Sequence, residues 1–329
     1  MSWTPAQRAF PHPEPTPYFL MLRTWSYAWW RPVVGMLVAA AGMLVVAPLV
    51  LLPVLAAAVA VEGGPFLAKF EKAATLKTVD PAALLYLNLV LGSMILVTWF
   101  IIRVVHRMRP RWLTSVVPRM RWSFFFVCLM LAVVALFAQI LAGAVLPSTG
   151  GGDSFSGSLN HFTTTTAVSA LVVLLTTPLQ AAGEEYLFRG YLLMAVGSLF
   201  RNKWVAIVVT AVIFALAHGS QNVPLFFDRL AFGLIAAWLV TYTGGLEAGI
   251  ALHVLNNFLA FGLALAYGDL TSTLNVSESS WWQIPVTVVQ SAVFTGLVVV
   301  AARRMGLRNT TQPPEQEPAQ SSGPAVATA

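Results

Sequence analysis

Eight long apolar runs dominate this chain, over approximately residues 33 to 61, 83 to 105, 123 to 145, 163 to 200, 204 to 219, 224 to 242, 246 to 267 and 282 to 302. Most exceed the ~20 residues that a helix needs to cross hydrocarbon. Backbone in lipid must satisfy its own N–H and C=O groups, which restricts such runs to helices. With 57% of residues hydrophobic and 10% charged, the composition agrees. The pattern predicts an all-α polytopic membrane protein, multi-pass in the cell membrane, with about eight transmembrane helices and the lipid bilayer as its constant partner.

The charge is +6, and its placement follows the membrane, giving no reason to expect a nucleic-acid partner. Arg8, Arg23 and Arg31, six arginines between 103 and 121, the pair Arg201 and Lys203, and Arg303, Arg304 and Arg308 fall on one side of an eight-span chain. The other side keeps Lys69, Lys72 and Lys77. The positive-inside rule then places both termini in the cytoplasm. Trp25, Tyr27, Trp29 and Trp30 precede the first run as an interface belt, and no cleavable signal-peptide pattern is apparent. Cys128, the sole cysteine, excludes an intramolecular disulfide and reads as a small core residue.

Four segments are expected. Residues 1–32 form a cytoplasmic N-terminal segment, and 33–160 carry accessory helices 1–3, with the first kinked at Pro48 and Pro53. Residues 161–302 carry helices 4–8, and 303–329 form a Pro/Gln/Glu/Ser-rich disordered cytoplasmic tail. Only the fourth to seventh runs hold ionisable side chains deep in apolar sequence: Glu184, Glu185, Arg189, His218 and His253. Intramembrane charges default to functional hypotheses, with an ion-pair cluster joining helices as the plainer reading.

Within "GEEYLFRG" (183–190), Glu185 and Arg189 are four apart and can pair on one helix face. Glu184 points about 100° away, free to face a cavity as a general base. His218 lies 17 residues after Arg201 and Glu184 17 before it, which sets the two at matched height in a helical hairpin. In "HVLNNF" (253–258), His253 and Asn257 share a face and Asn256 lies beside them, so the three should look inward. Activated water on one side and hydrogen-bond donors on the other are what amide hydrolysis requires. The expected pocket opens toward the cytoplasm.

In this order and spacing, Glu184-Glu185-x-x-x-Arg189, Phe214-x-x-x-His218 and His253-x-x-x-Asn257 resemble the three motifs of the CAAX protease and bacteriocin-processing family, which includes the type 2 CAAX prenyl endopeptidases. "TGGLEAGIALHVLNN" (243–257) also resembles the approach to the third motif. The resemblance covers about residues 166–267. It implies an eight-helix intramembrane endopeptidase acting on a peptide or protein substrate at the membrane. Glu184 and His218 would activate water, His253 and Asn257 would form the oxyanion site, and Glu185 with Arg189 would support the helix. No cofactor is implied. Glu247 departs from the pattern, which has an apolar residue or Trp there.

Zinc held by Glu184, His218 and His253 is the mechanistic competitor, although no HExxH helix is present. "GGGD" (150–153) matches the GxGD pattern of aspartyl intramembrane proteases but has no second aspartate in an adjacent span, and no GxSxG turn occurs. A transporter would be expected to show inverted repeats, which are not seen. A non-catalytic immunity or binding protein would be expected to lack a motif residue, and none is missing. Asp228 and Arg229 are expected to snorkel at the outer interface or pair with neighbours, with substrate gating as the alternative, and the basic 103–121 loop to serve topology and anionic lipid.

Overall fold

The computed structural model describes residues 10–12, 14–145 and 158–312; the Gly150–Asp153 loop and the tail after 312 lie outside them. The described chain is all-helical, with two isolated β-bridges and no strand. Its helices are α1 (Trp30–Glu62), α2 (Phe66–Ala74), α3 (Pro81–Val104), α4 (Trp122–Val145), α5 (Thr164–Phe200), α6 (Lys203–Leu216), α7 (Val223–Thr243), α8 (Glu247–Tyr267), α9 (Leu270–Leu274) and α10 (Gln283–Arg304).

Seven of these are long and apolar enough to cross a membrane. The exception to the eight expected is α6, whose 14 residues extend only ~21 Å at ~1.5 Å per residue. Its last turn closes at Ala217, and Gly219 turns the chain at a φ of 78°, so His218 sits just beyond the helix. Polar caps set the boundaries. Asp80 accepts from the Ala83 N–H, Thr163 forms a capping box with Thr166, and Asn202 and Asn222 cap α6 and α7.

Two wide π turns interrupt the long helices. In α1 the irregularity occupies Gly42–Val46, just before Pro48, which has no N–H to offer the preceding turn. In α5 it occupies Tyr186–Leu192, directly after the paired glutamates. Such π turns are rare and concentrate at functional sites.

The outward faces of α1 and α4 present Leu37, Leu44, Val50, Phe126, Met130 and Leu141, as lipid requires. Inside, α5 is the hub, packed on α3 and α8, while α4 packs on α8 and α10 and α6 on α7. The N-terminal segment is built into this core. Tyr18, Met21 and Leu22 are buried, and Arg23 Nε and Tyr27 Oη donate to the Ser198 carbonyl at 2.9 and 3.0 Å. The other chain end joins it: the Thr311 N–H donates to the Thr16 carbonyl at 2.9 Å. Ordered pairing thus extends into the 303–329 segment expected to be disordered, and Arg303 and Arg304 still belong to α10.

The segment 110–121 clamps the α7–α8 turn. The Val116 N–H donates to the Gly244 carbonyl at 2.8 Å and the Leu246 N–H to the Thr114 carbonyl at 3.0 Å. Arg121 Nη2 and Nε reach Glu247 at 2.6 and 2.8 Å, and Arg121 Nη1 donates to the Thr243 carbonyl. Part of the basic loop is therefore an internal tie, and Glu247, the departure from the family pattern, is its fully buried anchor.

Candidate active site

Glu184 and Glu185 enter the bundle at the last α-helical turn of α5 before the π turn. Gly183 lets this turn in, because a Cβ there would collide with the backbone of Leu91 and Gly92 in α3. From α8, Gly249 leaves room for the Glu185 carboxylate at 2.6 Å from where a Cβ would stand. Neither glycine was singled out from sequence, where a helix-interior glycine is ambiguous.

Glu185 is fully buried and serves two partners through one oxygen. Its Oε1 accepts from Arg189 Nη1 at 2.9 Å and lies 2.9 Å from His253 Nδ1. The expected Glu185–Arg189 pair is in place, with His253 as an additional arm. The Arg189 guanidinium stands 3.9 Å from the ring centre of Phe214 and 5.4 Å from that of Phe232. Cation–π contact offsets part of the cost of burying it. Phe214 also fixes His218, whose Nδ1 donates to the Phe214 carbonyl at 2.8 Å. That bond leaves Nε2 of a neutral imidazole as its acceptor.

Glu184 is nearly as buried as Glu185, with a different shell. Its Oε1 accepts from Gln180 Nε2 at 2.5 Å, and its Oε2 is 3.8 Å from His253 Nε2. Gln180 Oε1 in turn accepts from Asn257 Nδ2 at 2.8 Å. Gln180 therefore couples the candidate base to the candidate oxyanion donor. It escaped the sequence reading, although a glutamine one turn ahead of Glu184 in an apolar run was its signal.

His218, His253, Asn256 and Asn257 line one cavity of about 330 Å³. Gln290 of α10 also lines it and donates to Asn256 Oδ1 at 2.7 Å. Glu184, expected to face a cavity, is outside this lining and is linked to it by His253 at 3.8 Å and, through Gln180, by Asn257. Asp228 and Arg229, expected at the outer interface, both line it as well. The lining residues come from α4, α7, α8 and α10 and from the end of α6, and reach from His253 in the first half of α8 to Leu263 near its end. Backbone hydrogen bonds from Thr114 and Val116 hold the α7–α8 turn.

Among the described residues, no group of three or more His, Cys, Asp and Glu side chains is arranged to hold a metal ion. His253 Nδ1 is already committed to Glu185.

Comparison with known proteins bears on the same segment. Residues 165–259 match the family model described as type II CAAX prenyl endopeptidase Rce1-like. This segment is thus similar to an Rce1-like domain. It contains Glu184, Glu185, Arg189, His218, His253 and Asn257, each of which faces another member of the set or the shared cavity. The chain is also similar to the uncharacterized protein YyaK of Bacillus subtilis (strain 168), 25% identical over 235 residues, 67% of this chain and 76% of that one. No solved structure matches it. Seven long apolar helices around this segment make the chain a multi-pass membrane protein.

Proposed function

We propose that the chain is an intramembrane endopeptidase in which Glu184 and His218 activate water and His253 and Asn257 stabilise the oxyanion. The observation that carries this reading is the pair of unequal glutamates. Glu185 is neutralised by Arg189, whereas Glu184 has no Lys or Arg within ion-pair distance among the described residues and lies 3.8 Å from His253. An unneutralised carboxylate beside an imidazole can take a proton from water, and His218, with Nε2 free, can relay it to the leaving amine.

Donors must point at the developing oxyanion. Asn257 has one amide N–H on Gln180 and a second left for substrate. His253 is held by Glu185 through Nδ1 and has Nε2 3.8 Å from Glu184 Oε2, beside Asn257 on the same helix. The substrate class is a membrane-associated peptide, with CAAX-like and leader peptides as candidates. The basic end of the bundle, carrying both chain ends, is assigned to the cytoplasm.

The test is cleavage of a CAAX-like and leader-peptide panel by purified protein. Glu184→Gln and His218→Ala should each lose at least ~100-fold in kcat, the general acid–base contribution. Full activity in Glu184→Gln would reject the mechanism. A zinc mechanism on the same residues would instead appear as activity lost to a chelator and restored by Zn²⁺.

A further inference from the structure

The cavity is lined by a cation that makes no direct ion pair among the described residues. Arg229 projects from the second turn of α7 into the space lined by His218, His253 and Asn257. Among the described residues, its guanidinium hydrogen-bonds only neutral oxygens: Nη1 donates to Gln221 Oε1 at 2.9 Å and Nη2 to the Val276 carbonyl at 3.4 Å. No carboxylate among the described residues lies within ion-pair distance of it. The adjacent Asp228 acts on it electrostatically, while one oxygen of that carboxylate accepts from the Thr287 hydroxyl. Arg189, the buried arginine near the site, is matched by Glu185. The contrast matters because a guanidinium presents a planar set of donors suited to a carboxylate.

A second polar group nearby also has no partner. Gln139 of α4 lines the same cavity, and its side-chain oxygen is buried with no hydrogen-bond partner among the described residues. An unsatisfied amide oxygen in a cavity is a place for a peptide N–H. A volume of about 330 Å³ lies at the small end of ligand sites, ~300–1,000 Å³.

We propose that Arg229 binds a carboxylate of the peptide substrate, either its free C-terminus or an acidic side chain, and so sets which peptides the cavity accepts. This rests on the endopeptidase reading for the identity of the ligand as substrate, while the binding itself does not depend on turnover. Arg229 is then a specificity residue that orients the peptide relative to His218 and Asn257.

The experiment uses the full chain in detergent, carrying Glu184→Gln to prevent turnover, and titrates three peptides by calorimetry. They are N-acetyl-Ala-Val-Leu-Met as the free acid, the same peptide as the carboxamide, and the carboxamide with glutamate in place of leucine. At least one carboxylate-bearing peptide should bind about tenfold or more tightly than the plain carboxamide, consistent with a charge-assisted hydrogen bond. Which of the two does so identifies the source of the carboxylate. The preference should shrink at high ionic strength, disappear in Arg229→Gln and persist in part in Arg229→Lys. Equal binding of all three, binding of none, a salt-independent preference, or a preference surviving Arg229→Gln would each overturn the proposal. If Arg229→Gln does not fold, the salt dependence in the parent protein decides. A carboxylate preference with no cleavage of any peptide by the wild type would keep the Arg229 site and remove the endopeptidase reading.

Discussion

His253 Nδ1 lies 2.9 Å from Glu185 Oε1, the same oxygen that accepts from Arg189. A carboxylate that was expected only to neutralise its own helix therefore also orients a candidate catalytic imidazole on a second helix. Support and chemistry meet in one buried atom.

Removing that carboxylate should cost far more stability than removing its neighbour. Glu185→Gln leaves Arg189 charged and unmatched in the core, and breaking a buried pair in this way costs about 3–5 kcal/mol. Glu184→Gln keeps the Gln180 contact and removes no ion pair with an arginine, so its cost should stay under ~1.5 kcal/mol. Denaturant unfolding of the purified variants checks the order, and equal losses would contradict it.

Glycine substitutions separate close approach from ordinary helix propensity. Gly183→Ala and Gly249→Ala should each destabilise by about 1–3 kcal/mol, the first by forcing α5 from α3 and the second by displacing Glu185. Gly262→Ala and Gly296→Ala, with open space around them, should be neutral or gain up to ~1 kcal/mol. Thermal midpoints of the four variants in one detergent would show the division.

Arg121 and Glu247 should behave as a coupled pair. Each single change, Arg121→Met or Glu247→Leu, strands a buried charge and is expected to cost about 3 kcal/mol or more. The double variant should recover part of that loss, with a coupling of about 1–3 kcal/mol in a double-mutant cycle. Additive losses would mean that the tie contributes little to fixing the start of α8.

Acid should weaken the fold through His106. Burial, with Arg31 nearby, lowers its proton affinity to about 4 from 6.5, so the folded protein keeps it neutral while the unfolded chain takes a proton. The unfolded state then binds more protons between about pH 6.5 and 4, and stability falls as pH drops through that window. The contribution is up to about 3 kcal/mol. His106→Asn should flatten the curve there, as seen by denaturant midpoints across pH; an unchanged slope would assign the acid sensitivity elsewhere.

Sidedness follows from the charge distribution. In a Cys128→Ser background, a cysteine at exposed Arg111 should react with an impermeant maleimide only from the cytoplasmic face of sealed vesicles, and one at Gln221 only from the opposite face. The reverse pattern would invert the proposed orientation.

Most of the helices, their order and the buried cluster of Glu184, Glu185, Arg189 and His253 were legible in the sequence. Length and hydropathy alone define spans, because lipid leaves the backbone few alternatives to a helix. The Glu185–Arg189 pair was legible too, since i,i+4 geometry is local. The short reach of α6 was less so, because apolar residues continue past the turn where Gly219 ends the rise. Gln180, Gly183, Gly249 and the Arg121–Glu247 tie were missed: their roles lie in contacts with α8, α3 or the 110–121 loop, which no local pattern encodes.

The cavity is the sharpest case. His218, Arg229 and Gln290 lie apart in sequence, and the packing of α6, α7 and α10 brings them to one cavity. By itself the sequence determined which residues carry charge into the membrane, because that cost is a property of composition. Only the tertiary structure decided which of those charges are matched, since neutralisation depends on what a neighbouring helix brings within a few ångströms: Glu185 meets Arg189 and His253, while Arg229 meets only neutral oxygens among the described residues.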